Sequence, residues 1–232
     1  MITVENIHKS FGDNKVLKGI DATFERGKTS LIIGQSGSGK TVFLKSLLGL
    51  FQPEQGTISF DGSISKEMSD DQKRQLRQDM GMVFQGSALF DSLSVEENIM
   101  FPIKMFANQT RSEMLDRVNA VLKRVNLENI NSKFPAELSG GMQKRVAIAR
   151  AIVMNPKYLF CDEPNSGLDP KTAIVIDNLI QEITKEYQIT TVINSHDMNS
   201  VMEIGEKILF LKDGLKAWEG SNKEIFKTDN ES

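Results

Sequence analysis

The sequence predicts an α/β fold with a parallel sheet, a small antiparallel β region and an inserted segment of helices. Apolar strand patterns at 157–161 and 190–194 flank a helical pattern at 170–186, which is the alternation of a βαβ unit. Short alternating patterns within 2–24 are typical of antiparallel strands. Residues 86–156 contain no convincing strand pattern, which favours helices there.

The first elements follow in order from local patterns. Ile2, Val4 and Ile7 alternate with polar residues as in a strand, and we expect two more short strands at 16–17 and 20–24. Together these segments predict the antiparallel region. Further along, we expect these elements: strands at 29–33, 57–60 and 81–84, and helices at 41–50 and 66–80.

The second half of the chain has clearer signals for the ends of helices and for turns. Residues 110–113 match a capping box and open an amphipathic helix. An alanine-rich helix is expected at 144–154. Residues 208–218 are typical of a hairpin that turns at Asp213-Gly214, and the last five residues, all polar, are expected to fray.

Length and composition are those of a globular protein with one large domain or two small ones. The chain has 232 residues, of which 39% are hydrophobic and 25% charged, as in ordinary soluble proteins. The net charge of −3 provides no basic field for nucleic acid. The single cysteine allows no internal disulfide, the N-terminal residues lack a signal-peptide pattern, and no apolar stretch is long enough to span a bilayer. We therefore expect a soluble intracellular chain.

A glycine-rich loop follows the strand at 29–33. Residues 34–41 read Gly-Gln-Ser-Gly-Ser-Gly-Lys-Thr and match the phosphate-loop pattern G-x-x-x-x-G-K-[ST]. Its glycines let backbone N–H groups approach phosphate oxygens, and the following helix adds partial positive charge. Lys40 is expected to reach the β- and γ-phosphates, and the Thr41 hydroxyl to ligate Mg²⁺. A chance match in a turn is the alternative.

Two acidic residues end the apolar strand at 157–161. We expect Asp162 to hold Mg²⁺ and Glu163 to polarise the water that attacks the γ-phosphate. Without the phosphate loop, a solvated turn would explain this pair as well. His196 follows the strand at 190–194, where ligands of α/β sheets bind, whereas His8 is interpreted as structural or surface.

A Ser-Gly-Gly sequence at 139–141 precedes the alanine-rich helix. Ser139 is expected to cap this helix, whose free N–H groups are able to bind an anion. A capped helix without a ligand is the alternative that local chemistry leaves open.

Taken in order, these motifs resemble those of the ATP-binding cassette (ABC) ATPases over essentially the whole chain. The motifs are the phosphate loop at 34–41, the Q-loop glutamine Gln85, the signature at 138–143, the acidic strand end at 159–163, the D-loop at 166–169 and the switch His196. The resemblance implies a single nucleotide-binding domain, 1–232. A P-loop NTPase (RecA-like) core would comprise 1–85 and 157–232, and a helical subdomain 86–156.

The resemblance implies roles for individual residues. The catalytic residues would be Glu163, His196, Gln85 and Lys40, and the Mg²⁺ ligands would be Thr41, Gln85 and Asp162. The ATP contacts in one copy would be Phe11, Val16, Gly34, Gln35, Ser36, Gly37, Ser38, Gly39, Lys40, Thr41 and Val42. A second copy would add Ser139 and Gly141, with Asp169 at the dimer seam.

Three positions depart from the usual family pattern. Phe11 stands where Tyr is more usual, but stacking on adenine needs only a ring face. Gly167 replaces the commoner Ala of the D-loop, and Asn165 replaces a frequent Thr. None of these changes touches a required charge.

The resemblance also implies partners. A homodimer would sandwich two ATP molecules on the cytoplasmic face of the inner membrane, and integral membrane permease subunits would dock near 86–99. Residues 84–93 and 162–170 are similar to the ATPase subunits of Mla/Mce-type phospholipid transport systems of bacterial envelopes. That similarity implies phospholipid as cargo and a lipid-binding periplasmic subunit as a further partner.

Alternative functions share part of this pattern. ATPases of importers for polar solutes such as amino acids, and lipoprotein-release ATPases, have much of the same core. A non-transport ABC ATPase acting on ribosomes or DNA usually carries two cassettes or a long coiled-coil insertion, and this sequence has neither. A small-molecule P-loop kinase would lack the signature at 138–143.

Overall fold

Two β-sheets and the helices around them make up the fold. The computed structural model describes residues 1–225, so the predicted fraying of the last five residues lies outside the described part. The strands are β1 (Ile2–Phe11), β2 (Asn14–Phe24), β3 (Thr29–Ile33), β4 (Gln55–Phe60), β5 (Ser63–Ile64), β6 (Met80–Val83), β7 (Tyr158–Asp162), β8 (Thr190–Asn194), β9 (Lys207–Lys212) and β10 (Leu215–Gly220). The helices are α1 (Lys40–Leu47), α2 (Asp70–Gln78), α3 (Val95–Phe106), α4 (Arg111–Arg124), a 3₁₀ turn (Pro135–Glu137), α5 (Gly140–Ile152), α6 (Pro170–Glu186) and α7 (Met198–Ile204).

The larger sheet has the strand order β10-β9-β3-β8-β7-β6. Four of its five strand pairings are parallel, and the fifth, between β10 and β9 at the edge, is antiparallel. Strands β3 and β8 are buried along their whole length, because helices cover both faces of a parallel sheet. The predicted α/β fold class, with a phosphate-loop core, is confirmed.

The smaller sheet has the order β2-β1-β4-β5 and is antiparallel throughout. One prediction was wrong here, because the expected strands at 16–17 and 20–24 are parts of one strand, β2. The break in the pattern comes from Gly19, whose φ is 88° and which has no partner between the pairs Ile7–Ile20 and His8–Lys18. An extra residue of this kind is a β-bulge, which interrupts the alternation without ending the strand.

Residues 86–156 contain helices and no strand, as expected. Helices α3 and α4 both begin with a capping box, at Ser94 and Thr110. Helix α5 begins at Gly140, four residues before the predicted start, because Ser139 accepts a hydrogen bond from the N–H of Met142. The division into a core and a helical subdomain stays a prediction, since the apolar side of α5 packs in one cluster with residues of α3, β7 and α6.

None of the helices within residues 1–225 is both long enough and apolar enough to cross a membrane.

Candidate functional site

The candidate site lies at the carboxyl ends of four neighbouring parallel strands. In the sheet, β3, β8, β7 and β6 follow one another, so the loops after them meet at one edge. The phosphate loop follows β3, and His196 follows β8. Asp162 ends β7, Glu163 comes next, and Gln85 follows β6. The topology therefore gathers residues that are far apart in the sequence.

A pocket of about 780 Å³ lies at this edge. Its lining contains these predicted residues: Val16, Gly34, Gln35, Ser36, Gly37, Gly39, Lys40, Thr41, Val42, Glu163 and His196. Ser38 lies in the same loop, with a buried side chain. The predicted residues outside the lining are Phe11, Gln85, Ser139, Gly141, Asp162 and Asp169. The volume and position suit the phosphate end of a nucleotide.

The phosphate loop depends on its glycines. Gly34, Gly37 and Gly39 have φ values of 149°, 83° and 104°, which other residues rarely adopt. A Cβ on Gly34 would collide with the carbonyl oxygen of Leu211 and lie 2.7 Å from the Ser38 hydroxyl. That hydroxyl is buried and has no hydrogen-bond partner within residues 1–225. A close backbone cradle with an unused hydroxyl fits a phosphate group.

Lys40 is the cation of this cradle. Its Nζ donates to the carbonyl oxygens of Gly34, at 2.7 Å, and Gln35, at 3.1 Å. Burial lowers the pKa of Lys40, and the nearby carboxylates of Glu163 and Asp162 oppose that shift. The ammonium is thus held by carbonyls of its own loop, on the side of the pocket where Glu163 lies.

Glu163 is at the centre of the contacts. One carboxylate oxygen is 2.9 Å from Nδ1 of His196, and the other accepts a hydrogen bond of 3.0 Å from the Gln85 amide. Its backbone is left-handed, with φ of 46°, a conformation that costs about 1–3 kcal/mol in a residue with a side chain. A hydrogen bond of 3.0 Å from its N–H to the carbonyl of Asn194 holds it there. The structure thus joins three residues predicted to be catalytic.

The residues predicted to bind Mg²⁺ offer oxygen ligands. Asp162 has one carboxylate oxygen bonded to the Asn194 amide at 3.0 Å, Thr41 exposes its hydroxyl, and Gln85 contributes an amide. In residues 1–225, no group of three or more His, Cys, Asp and Glu side chains is arranged to hold a metal. A Mg²⁺ ion here would take its other ligands from phosphate oxygens and water, as is usual for this ion.

The signature residues pack against the D-loop. Ser139 caps α5, and a Cβ on Gly141 would lie 2.8 Å from the methyl group of Thr172. Asp169 caps α6, accepting hydrogen bonds of 3.1 Å from the N–H groups of Lys171 and Thr172. A further hydrogen bond, from the Thr172 hydroxyl, lowers the pKa of Asp169. Ser139, Gly140 and Asp169 thus form an exposed face separate from the pocket lining.

Phe11 is 45% exposed, and its ring packs edge-on against Phe51, with centroids 5.2 Å apart. The Lys9 ammonium lies over the ring, 5.2 Å from its centroid, so stacking of Phe11 on a base stays a prediction.

The structure adds residues that sequence reasoning missed. Asn194 bonds to Asp162 and to the backbone of Glu163, and its position at the end of β8, beside Asp162, was a signal that could have found it. Lys144, which is buried, donates to the backbone carbonyl of Gln85. That contact joins α5 to the loop after β6, and no local sequence pattern predicts it. Met198 and Phe210 also line the pocket.

Comparison with known sequences gives a consistent result. Residues 17–166 match the protein family described as "ABC transporter". The methionine import ATP-binding protein MetN of Clostridium tetani is 39% identical over 226 residues, which cover 97% of this chain and 71% of that protein. The probable ribonucleotide transport ATP-binding protein mkl of Mycobacterium tuberculosis (strain ATCC 25618 / H37Rv) is 40% identical, covering 85% of this chain. The match spans 55% of the length of mkl.

Solved structures agree with the sequence matches. The dimeric structure of MJ0796, described as a bacterial ABC transporter cassette, superposes with a TM-score of 0.86 at 33% identity, covering 96% of this chain and 99% of that one. A second dimeric structure of that cassette, described as a post-hydrolysis state bound to ADP and Pi, has a TM-score of 0.85.

Proposed function

This chain belongs to the ABC transporter family and is an ATPase of that family, and we propose that it powers phospholipid transport in a bacterial envelope through separate membrane subunits. The observation that supports its enzymatic part best is the set of contacts around Glu163. At the mouth of a phosphate-loop pocket, one carboxylate touches both His196 and Gln85.

The proposed mechanism assigns the chemistry to these residues. Lys40 and the loop N–H groups bind the β- and γ-phosphates and neutralise charge that develops during transfer. Glu163 orients the attacking water and accepts its proton, while His196 and Gln85 hold the carboxylate in place. Thr41, Gln85 and Asp162 would hold Mg²⁺, which would neutralise charge at the phosphate oxygens when bound.

The proposed assembly is a head-to-tail homodimer. Ser139 and Asp169 lie on an exposed face that their own pocket does not use, and the half-buried Gly141 lies at the edge of that face. The capped start of α5 presents N–H groups to the γ-phosphate of ATP bound by a second copy. Two such contacts would close two ATP molecules between the copies, and hydrolysis would release them.

A second surface suits the membrane subunits. A hollow of about 420 Å³ lies beside the loop after Gln85, and exposed Phe84, Phe90 and Phe101 line it. Phe90, in the segment 86–99 that we propose as the docking site, packs against Phe101 of α3 in a tilted arrangement with ring centroids 4.8 Å apart. Exposed aromatic residues in a concave surface are typical of protein interfaces.

The segment behind this hollow is firmly held. Ser87 and Ala88 both have left-handed backbones, and the Arg150 guanidinium donates to their carbonyl oxygens at 2.8 Å and 2.7 Å. Asn98 is fully buried and donates to the carbonyl oxygens of Phe90, Leu93 and Ser94. A rigid segment next to Gln85 is suited to transmit movement between the ATP site and a docked partner.

We propose that the chain binds to its membrane subunits peripherally, at the cytoplasmic face of the inner membrane.

The proposal of phospholipid is based on the similarity of 84–93 and 162–170 to Mla/Mce-type ATPases. The relatives point to different cargoes, since MetN is a methionine import ATP-binding protein and mkl a probable ribonucleotide transport ATP-binding protein. The match to MetN over 97% of the chain favours, as a second candidate, an importer for polar solutes.

Purification of the tagged chain from bacterial membranes tests this proposal. We expect stoichiometric recovery of an integral membrane subunit together with a protein that carries a periplasmic lipid-binding domain. Phe101→Glu should abolish this recovery, because it places a charge in the apolar hollow, while ATPase activity of the isolated chain stays unchanged.

Tyr187→Glu is the matched control, since Tyr187 is another aromatic residue with a similar exposed fraction, 41%, at the end of α6. It should leave recovery unchanged. A solute-binding protein among the partners would contradict the lipid proposal and favour the importer. Unchanged recovery with Phe101→Glu would contradict the docking surface.

A further inference from the structure

A buried polar cluster lies behind the candidate site. Asp177 of α6 is 2% exposed, and one of its carboxylate oxygens accepts a hydrogen bond of 3.2 Å from the Asn165 amide. The same amide nitrogen donates to the Ser200 hydroxyl at 2.7 Å. The other oxygen of Asp177 has no hydrogen-bond partner within residues 1–225. The Asn165 amide thus joins the buried carboxylate of α6 to the Ser200 hydroxyl of α7, and Asp177 is its charged acceptor.

The first link leads to Glu163. Asn165 lies two residues after Glu163, in the turn where the N–H of Ser166 donates to the Glu163 carbonyl at 3.1 Å. The Ser166 hydroxyl also accepts a hydrogen bond of 3.3 Å from Gln85. A fixed Asn165 therefore fixes the turn that carries Glu163.

The second link leads to His196. Ser200 is buried in α7, four residues after His196, and α7 is capped by Asp197. Holding Ser200 against Asn165 places the start of α7 beside the Glu163 turn. The two residues that meet at 2.9 Å in the site are therefore also joined from behind.

Burying the Asp177 carboxylate lowers the stability of the fold, so its presence argues for a functional role. Burial raises the pKa of Asp177 from 3.8 to about 6. The neighbouring Ser200 hydroxyl and the hydrogen bond from Asn165 oppose the rise, and Asp197 and Glu203 of α7 add to it. Burial raises the pKa of the Cys161 thiol of β7, and the charge of Asp177 adds to that rise. An apolar side chain would avoid the cost of a buried charge.

We propose that Asp177 is a positioning residue that keeps Glu163 and His196 in contact through Asn165 and Ser200. This proposal rests on the proposed catalytic roles of Glu163 and His196. Asp177 itself touches neither ATP nor water in this account.

The test compares Asp177→Leu with Asp177→Asn. Leucine removes the acceptor for Asn165, so kcat should fall about ten- to a hundredfold while KM for ATP changes less than about twofold. Asparagine keeps an acceptor and should restore kcat to within about threefold of the wild-type value. Glu182→Gln, at an exposed acid of the same helix, is the control and should change neither constant.

Stability separates positioning from a merely structural role. Because the pKa of Asp177 is raised on folding, its ionised form destabilises the fold above about pH 6, and this penalty disappears as pH falls below 3.8. Asp177→Asn should therefore melt at or above the wild-type temperature at pH 8, with the difference shrinking toward pH 4. A lower melting temperature for Asp177→Asn at pH 8 would overturn the claim that the buried charge destabilises the fold and is kept for positioning.

Histidine NMR makes the test independent of turnover. The chain has two histidines, His8 and His196, so their ring signals are easily assigned. In Asp177→Leu the His196 signals should shift and those of His8, bonded to Asn6, should not. Unchanged His196 signals, or a wild-type kcat, would overturn the proposal. Absence of ATPase activity in the wild-type chain would instead refute the proposed function, and the NMR result would still stand.

Discussion

Glu163→Gln is expected to abolish ATP hydrolysis and to leave ATP binding intact. The amide has the shape of the carboxylate but does not accept the proton of the attacking water, and general-base catalysis contributes about 10²–10⁴-fold in rate. The phosphate loop and Lys40 bind the nucleotide through contacts that do not involve the Glu163 side chain, so they are unchanged. Phosphate release and equilibrium binding of a fluorescent ATP analogue measure the two effects.

Glu137→Gln is a suitable control for that experiment, because Glu137 is an exposed glutamate in the 3₁₀ turn. It should hydrolyse ATP at the wild-type rate. If Glu163→Gln hydrolysed ATP at a rate near that of the wild type, the assignment of Glu163 as the general base would be contradicted. Loss of ATP binding in that variant would show that Glu163 supports the pocket rather than the chemistry.

Lys40→Ala is expected to weaken ATP binding about ten- to a hundredfold and to stop hydrolysis. A charge-assisted hydrogen bond to phosphate contributes about 1.5–3 kcal/mol, which corresponds to this change in affinity. The ammonium is buried beside Glu163 and Asp162, so its removal also leaves two carboxylates facing the phosphates without a cation. Isothermal titration calorimetry with ATP measures the affinity.

Lys66→Ala provides the comparison, because Lys66 is an exposed lysine away from the phosphate loop. Its affinity for ATP should equal that of the wild type. If Lys40→Ala bound ATP as tightly as Lys66→Ala, the phosphate loop would have a different role from the one proposed.

Local patterns predicted much of the fold. The bounds of β3, α6 and β8 match the sequence-based prediction, because long apolar runs and a Pro at the first helical position mark them clearly. Helix α3 was not predicted as such, since Pro102 interrupts its interior. Helix α7 was missed because seven residues are too few for a periodic pattern.

The candidate site was predicted in its members but not in its contacts. The motifs named Glu163, His196 and Gln85, and the order of the strands brings them together. No sequence pattern shows that Glu163 has a left-handed backbone held by Asn194, or that Lys144 reaches the carbonyl of Gln85. These contacts join residues far apart in the chain, so tertiary structure alone reveals them. The roles of the site residues stay predictions until variants are measured.

Sedimentation of Glu163→Gln with saturating Mg²⁺ and ATP tests the central claim most directly, namely that two copies close over two ATP molecules through the Ser139–Gly141 face. We predict a species of twice the chain mass that holds two ATP, and a monomer when ATP is omitted. Adding Gly141→Glu, which puts a negative charge where the γ-phosphate should bind, should keep the chain monomeric with ATP still bound. A chain that stays monomeric with ATP bound, or a dimer that Gly141→Glu leaves intact, would contradict the account.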